Sequence, residues 1–197
     1  FGAKEKKLRY ELKTYGAVFE AGRKYGLYKI VINPRRKRTL LIVAGFHGEE
    51  FHGPISLLHV FDEAVRYARR RGVRLIVYPC LNPSGFDLHK RYNASDETQN
   101  NDFLRYQLPD GKWVGTLQKD EEEKFVAFKV VDSKAKEARL LKLDVLKYRV
   151  PVGALDIHQQ KGNLDTGDFY AYIFDRRPIY KKIMAKLKKF AQVARND

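Results

Sequence analysis

The chain has 197 residues, of which 44% are hydrophobic, which suffices for the core of one domain over residues 1–197. Its 39 lysines and arginines exceed its 24 acidic residues, and the net charge of +15 favours an anionic partner or substrate. The single cysteine, Cys80, excludes an intramolecular disulfide framework and a cysteine-based zinc cluster. No stretch reaches the roughly 18 apolar residues of a membrane helix, so we expect no membrane span.

The first half of the sequence predicts a β-α-β unit. Residues 13–16 are rich in turn formers, and Tyr25–Asn33 then has the apolar and β-branched pattern of a strand. Leu40–Gly45 is continuously apolar, which is typical of a strand buried on both faces of a largely parallel sheet. Residues 53–71 predict an amphipathic helix, and Val73–Tyr78 predicts the next strand. The residues expected to face the sheet from this helix are Ile55, Leu58, Val60, Phe61 and Val65.

The second half is predicted to contain a long loop, two helices and two further strands. Residues 104–124 are polar and predict an extended loop, and residues 135–148 predict a helix. A short apolar run precedes His158, residues 169–174 predict a strand, and residues 178–194 predict a basic amphipathic helix. Together with the β-α-β unit, this order predicts the α/β class, with a doubly wound, mixed and mainly parallel sheet that carries helices on both faces.

His47 and Glu50 follow the apolar run 40–45 and are three residues apart. Catalytic zinc typically takes three protein ligands and leaves a fourth position open, and two histidines with one glutamate form one of its ligand sets. His158 also follows a predicted strand, and ligands of such sheets lie beyond the carboxyl ends of the strands. The sequence therefore predicts a site for one zinc ion per chain at His47 and Glu50, with His158 as the best candidate for the third ligand. Helix capping and ion pairing of His47 and Glu50 is the alternative. Glu49 is expected to point away, toward the helix N-terminus. The histidines expected to serve as packing or surface residues are His52, His59 and His89.

A set of short motifs occurs in the order in which the zinc carboxypeptidase family carries them. The motifs are Thr14-Tyr15-Gly16 with Gly22-Arg23, His47-Gly48-Glu49-Glu50, Asn82-Pro83-Ser84-Gly85, Arg91, Asn100-Asn101-Asp102-Phe103 and Asp156-Ile157-His158. Over residues 14–160 the chain resembles this family of carboxypeptidase A-like metallopeptidases, including its succinylglutamate desuccinylase and aspartoacylase branch. The resemblance implies the zinc carboxypeptidase-like fold and the ligand set His47, Glu50 and His158.

The resemblance also implies roles for three residues outside the zinc ligands. Arg91 would polarise the scissile carbonyl and stabilise the oxyanion, because a guanidinium is permanently charged; a solvated arginine is the alternative in this arginine-rich chain. Asn100 and Asn101 would contact the substrate carboxylate. The family usually carries Asn-Arg at these positions, so Asn101 weakens the expected clamp on a free carboxyl terminus.

The catalytic glutamate of the family has no counterpart in the last part of the chain. The family carries this residue on a late strand, whereas no glutamate follows His158 in this sequence. We therefore expect a single zinc carboxypeptidase-like catalytic domain over residues 1–197 that lacks its last strand and this base. An acid supplied by another segment is the alternative.

The implied activity is that of a zinc-dependent hydrolase that cleaves a peptide or N-acyl amide bond near a carboxylate through a metal-activated water. An acidic or cell-wall-derived substrate would suit the positive charge. The alternatives are an N-acyl amino acid deacylase, a cell-wall stem-peptide carboxypeptidase, a zinc-binding pseudoenzyme and a basic module that binds an anionic polymer. Nucleic acid is not expected, because the sequence has neither zinc-finger spacing nor an aromatic RNA-binding signature. No signal peptide is visible, which favours the cytoplasm, and a periplasmic or secreted location stays open if an N-terminal signal was removed.

Overall fold

The computed structural model describes residues 10–99, 104–118, 121, 124–148, 151–159 and 177–187. The chain divides into two compact units, Phe1–Gln159 and Gln160–Asp197. The elements of the first unit are β1 Glu11–Glu20, β2 Arg23–Ile32, β3 Thr39–Ala44, α1 His52–Arg70, β4 Arg74–Tyr78, α2 Pro83–Leu88, β5 Leu104–Gln107, β6 Trp113–Val114, β7 Ala127–Val130, α3 Lys136–Val145 and β8 Gly153–Ile157. The second unit contains α4, Arg177–Leu187.

The main sheet has five strands in the order β1-β2-β4-β3-β8. β3 pairs in parallel with β4 on one side and with β8 on the other, whereas β2 is antiparallel to both β1 and β4. The parallel part contains the continuously apolar strands, because helices cover both of its faces. The predicted α/β class with a mixed sheet is confirmed.

Helix α1 covers one face of this sheet. Its buried residues Leu57, Phe61, Val65 and Ala68 recur at intervals of three or four and form a single stripe. This stripe packs in one core cluster with sheet residues such as Val77. Three residues predicted to face the sheet are instead 42–51% exposed: Ile55, Leu58 and Val60. That part of the prediction is wrong, because these residues lie beside the stripe that the helical period selects.

Helix α3 covers the opposite face. Leu141 of this helix belongs to a buried cluster with Ile76 and Tyr78 of β4. One turn further on, the buried Asp144 accepts hydrogen bonds from Lys29 Nζ at 2.5 Å and from the Tyr78 hydroxyl at 2.9 Å. A lysine and an aspartate are stable at this depth because each compensates the charge of the other.

Two regions differ from the sequence prediction. Residues 13–16 lie within β1 rather than in a turn, because β1 forms a hairpin with β2 whose turn follows Glu20. The predicted loop 104–124 contains β5 and β6, which pair with β7 in a second sheet of order β6-β5-β7. Short, partly exposed strands carry little of the periodicity on which the prediction depends. The predicted strand 169–174 lies outside the described residues, as do residues 188–194 of the predicted last helix.

In the part of the chain that the structure describes, none of the helices has the length and apolar character that crossing a bilayer requires.

Candidate metal centre

The turn after β3 brings His47 and Glu50 together. The backbone N–H of Glu50 donates to the carbonyl of His47 at 3.2 Å, which closes a tight turn between them. Both side chains are buried, at 4% and 6% exposure. His47 Nδ1 lies 2.6 Å from Glu50 Oε1. The spacing of three residues therefore places an imidazole and a carboxylate against each other at the end of the strand.

His158 reaches the same place from β8. This strand runs parallel to β3 with Ala44 opposite Ile157, so the segments that follow β3 and β8 leave the sheet at the same edge. His158 Nδ1 lies 2.9 Å from Glu50 Oε2, and the ring centroids of His47 and His158 are 5.0 Å apart. The structure thus brings together all three predicted ligands, although Glu50 and His158 are 108 positions apart.

The charges of this cluster are set by its hydrogen bonds. Burial alone would raise the pKa of Glu50, but hydrogen bonds with His158 and His47 outweigh burial and lower it, so the carboxylate stays ionised. Hydrogen bonds with Asp156 and Glu50 raise the pKa of His158 to about 9, against the opposing effect of burial. The cluster therefore contains a fixed negative charge between two imidazoles.

The donor atoms fit a zinc ion. One nitrogen of each histidine and one oxygen of Glu50 all lie within 4.8 Å of one another, and this set matches the ligands of catalytic zinc. Asp156, which the sequence analysis named within the Asp156-Ile157-His158 motif without giving it a role, has Oδ2 2.9 Å from His158 Nε2. A carboxylate on the far nitrogen of a ligating histidine fixes the ring orientation and its tautomer.

Arg91, the predicted oxyanion-stabilising residue, lies beside this cluster. Its Nη1 is 3.3 Å from Glu49 Oε1 and 3.6 Å from Glu50 Oε1, and its side chain is 44% exposed. Glu49, which was expected to point away toward the helix N-terminus, forms an ion pair with this guanidinium. Asn100 and Asn101, the predicted substrate-binding residues, lie outside the described residues.

The His47–Glu50 turn packs against the Asn82–Gly85 turn. The Asn82 side chain accepts from the N–H of Gly85 at 2.9 Å and donates to the carbonyls of Phe46 at 3.4 Å and Arg91 at 3.3 Å. A Cβ atom on Gly48 would lie 2.0 Å from the backbone carbon of Gly85. Only glycine fits at position 48, because the His47–Glu50 turn passes so close to the backbone of Gly85.

The segment after Arg91 is held by a second buried group of polar side chains, here called the Asn93 cluster. Its members are Glu20, Ser84, Asn93, Gln99 and Glu137. Asn93 Nδ2 donates to Glu20 Oε1 at 3.0 Å and to Glu137 Oε1 at 3.1 Å, and Gln99 Nε2 donates to the same oxygen of Glu137 at 2.8 Å. The Ser84 hydroxyl donates to Glu20 Oε2 at 2.6 Å. These bonds connect β1, α2 and α3 to the segment that presents Arg91.

Comparisons with known proteins agree with this fold and identify the family. Residues 36–194 match the family model of the succinylglutamate desuccinylase/aspartoacylase catalytic domain. The chain belongs to this family, which confirms the resemblance to the zinc carboxypeptidases and their desuccinylase and aspartoacylase branch. A search of the curated proteins gives no match.

Solved structures share the fold at low sequence identity. A candidate metallopeptidase from Shewanella amazonensis SB2B is 23% identical with a TM-score of 0.64, and the match covers 100% of this chain and 67% of that protein. A metallo-carboxypeptidase from Pseudomonas aeruginosa is 15% identical with a TM-score of 0.60, covering 98% of this chain and 48% of the enzyme. Murein-tripeptide amidase MpaA from Escherichia coli O157 is 17% identical with a TM-score of 0.54, covering 94% of this chain and 73% of the amidase. The chain thus spans between about half and three quarters of the length of these proteins.

Proposed function

We propose that this chain carries the zinc centre of a hydrolase that cleaves an amide bond near a carboxylate. The observation that carries the proposal is the convergence of His47, Glu50 and His158 from two parallel strand ends, with donor atoms facing one another. These three residues would hold the ion. A zinc ion bound there would polarise the scissile carbonyl and lower the pKa of a water molecule.

Arg91 supplies the second part of the proposed site. Its contact with Glu49 restrains the guanidinium next to Glu50, while its exposed side chain leaves donors available to a substrate. An arginine needs no proton transfer to stabilise negative charge that develops on the carbonyl oxygen. Asn100 and Asn101 are proposed to contact the substrate carboxylate, on the strength of the family motif.

The family match favours an N-acyl amino acid as the substrate, because the family is named for a succinylglutamate desuccinylase and an aspartoacylase. A peptide substrate is the second candidate, supported by the shared fold of the Pseudomonas carboxypeptidase. The net charge of +15 supports an anionic substrate in either case.

Metal analysis of the purified chain tests the metal centre. We expect one zinc per wild-type chain and a strong reduction in His158→Ala. His59→Ala is the matched control, because His59 is an exposed histidine on α1. Equal zinc content in wild type and His158→Ala would remove His158 from the site.

Hydrolysis assays test the activity. We expect the zinc-loaded protein to release the amino acid from succinyl- and acetyl-amino acids faster than it trims peptides. Stoichiometric zinc without hydrolysis of either class would favour a zinc-binding pseudoenzyme or a chain that lacks the catalytic acid. The same assay on the full-length gene product separates these two outcomes.

A further inference from the structure

His52, predicted to be a packing or surface residue, contacts the segment that carries His158. It is the first residue of α1 and lies two positions after Glu50. Gln159 Oε1 lies 2.5 Å from His52 Nδ1 and 3.3 Å from the backbone nitrogen of His52. Both contacts therefore join the start of α1 to the residue after His158.

The backbone contact determines which atoms donate. A backbone N–H can only donate, so the atom of Gln159 that faces it is the carbonyl oxygen rather than the amide nitrogen. That oxygen can only accept, and His52 Nδ1 must carry the hydrogen in the shared contact. One side-chain oxygen thus accepts two hydrogen bonds from one residue.

The backbone of Gln159 also contacts the metal centre. Its N–H donates to Glu50 Oε2 at 3.1 Å, the same oxygen that lies 2.9 Å from His158 Nδ1. Gly53 packs beside this connection, since a Cβ atom there would lie 3.3 Å from the carbonyl oxygen of Ile157. Residues 157–159 therefore lie against Glu50, His52 and Gly53.

We propose that His52 and Gln159 are positioning residues that set the placement of His158 against Glu50, and we call this pair the His52–Gln159 latch. His158 lies beyond the end of β8, so the ladder with β3 does not fix it directly. The latch fixes the next residue instead. This inference rests on the proposed zinc centre, because its measured consequence is the affinity for zinc.

The latch should affect metal affinity far more than folding. It is exposed, and a single exposed hydrogen bond contributes little to the stability of the fold. A partner that orients a metal ligand, in contrast, typically changes metal affinity by roughly 10- to 100-fold. Substitution of a residue with only a structural role would instead lower the Tm and leave the zinc Kd nearly unchanged.

Zinc titration of latch variants of the full chain tests the proposal. The variants are His52→Ala, Gln159→Ala, their double mutant, His52→Asn and the control His59→Ala. The zinc Kd is measured by competition with a chromophoric chelator, the ligand field by the visible spectrum of the cobalt-substituted protein, and the Tm on the metal-free protein. The Asn side chain places an amide nitrogen near the position of His Nδ1, so it can restore the donor.

We expect His52→Ala and Gln159→Ala each to weaken zinc binding by roughly 10-fold or more and to alter the cobalt spectrum. The double mutant should be no weaker than the worse single mutant, and His52→Asn should recover most of the affinity. The metal-free Tm should stay close to that of His59→Ala. Zinc affinity of His52→Ala equal to that of His59→Ala, or additive losses in the double mutant, would overturn the latch alone. A wild type that binds no zinc would overturn the proposed function and the latch with it.

Discussion

Glu50 in the metal centre and Glu137 in the Asn93 cluster are both buried glutamates, yet their pKa values move in opposite directions. Burial raises the pKa of either carboxyl. At Glu50, hydrogen bonds with His158 and His47 reverse this effect, whereas at Glu137 the partners are neutral amides and the nearby Glu20 raises the pKa further. The comparison shows that the chemistry of the hydrogen-bond partners, rather than burial, decides the direction of the pKa shift. Glu50 is kept ionised and can bind a cation, whereas the surroundings of Glu137 favour its neutral form.

The most direct test of this comparison is to replace each of the two glutamates, Glu50 and Glu137, by glutamine. Glu50→Gln removes the charge that joins the two imidazoles, so zinc affinity should fall by at least about 100-fold, beyond the range of residues that only orient a ligand. Glu137→Gln is the matched control and should leave the zinc Kd unchanged. Isothermal titration measures both. An equal loss in the two variants would show that Glu50 affects zinc only through the fold.

Arg91 lies between the two regions, because its carbonyl accepts from the Gly48 N–H at 3.2 Å and Asn93 follows two residues later. If it stabilises the oxyanion, Arg91→Ala should lower kcat by roughly 100-fold or more while the zinc content stays at one per chain. Steady-state kinetics on an N-acyl amino acid and metal analysis give the two values. A loss of zinc with the loss of kcat would assign Arg91 to the assembly of the centre instead.

Gly48→Ala tests the backbone crossing between the two regions. The added Cβ would have to displace the backbone of Gly85, and overpacking of this kind typically costs about 1–3 kcal/mol. We expect a lower free energy of unfolding in urea together with weaker zinc binding. Gly115→Ala is the control, because a Cβ there would approach only the flexible guanidinium of Arg105. Similar stability of the two variants would mean that the crossing is not rigid.

The smallest expected effect is the pH dependence of the Asn93 cluster. The folded pKa of Glu137 lies above its usual value of 4.5, so its stabilising contribution is complete below that value and is lost as the pH rises through the folded pKa. Glu137→Gln is neutral throughout. The stability of this variant relative to wild type should therefore increase from pH 4 toward pH 7. Urea unfolding at both pH values measures the difference, and a difference that does not change with pH would show that the pKa of Glu137 is the same in the folded and the unfolded protein.

The parallel part of the sheet and the meeting of His47, Glu50 and His158 were predictable from the sequence. Continuous apolar runs mark buried parallel strands, and their carboxyl ends share one edge, so residues that follow such strands are brought together. The contacts of Glu49, Asp156 and Gln159 were not predictable in this way. Glu49 and Gln159 lie on loops and Asp156 lies in β8. Each contact depends on the direction of one side chain, which neither hydrophobic period nor spacing encodes.

Because the metal centre depends on the register of β8 against β3, zinc can bind only after these two strands have paired correctly. Glu50 and His158 can share an ion only after a strand far along the chain has docked, and a slip by one residue would turn its side chains to the other face. An ion that binds only this arrangement would stabilise the pairing of β8 with β3. Its stabilisation would grow by about 1.4 kcal/mol for each tenfold rise in free zinc above the Kd.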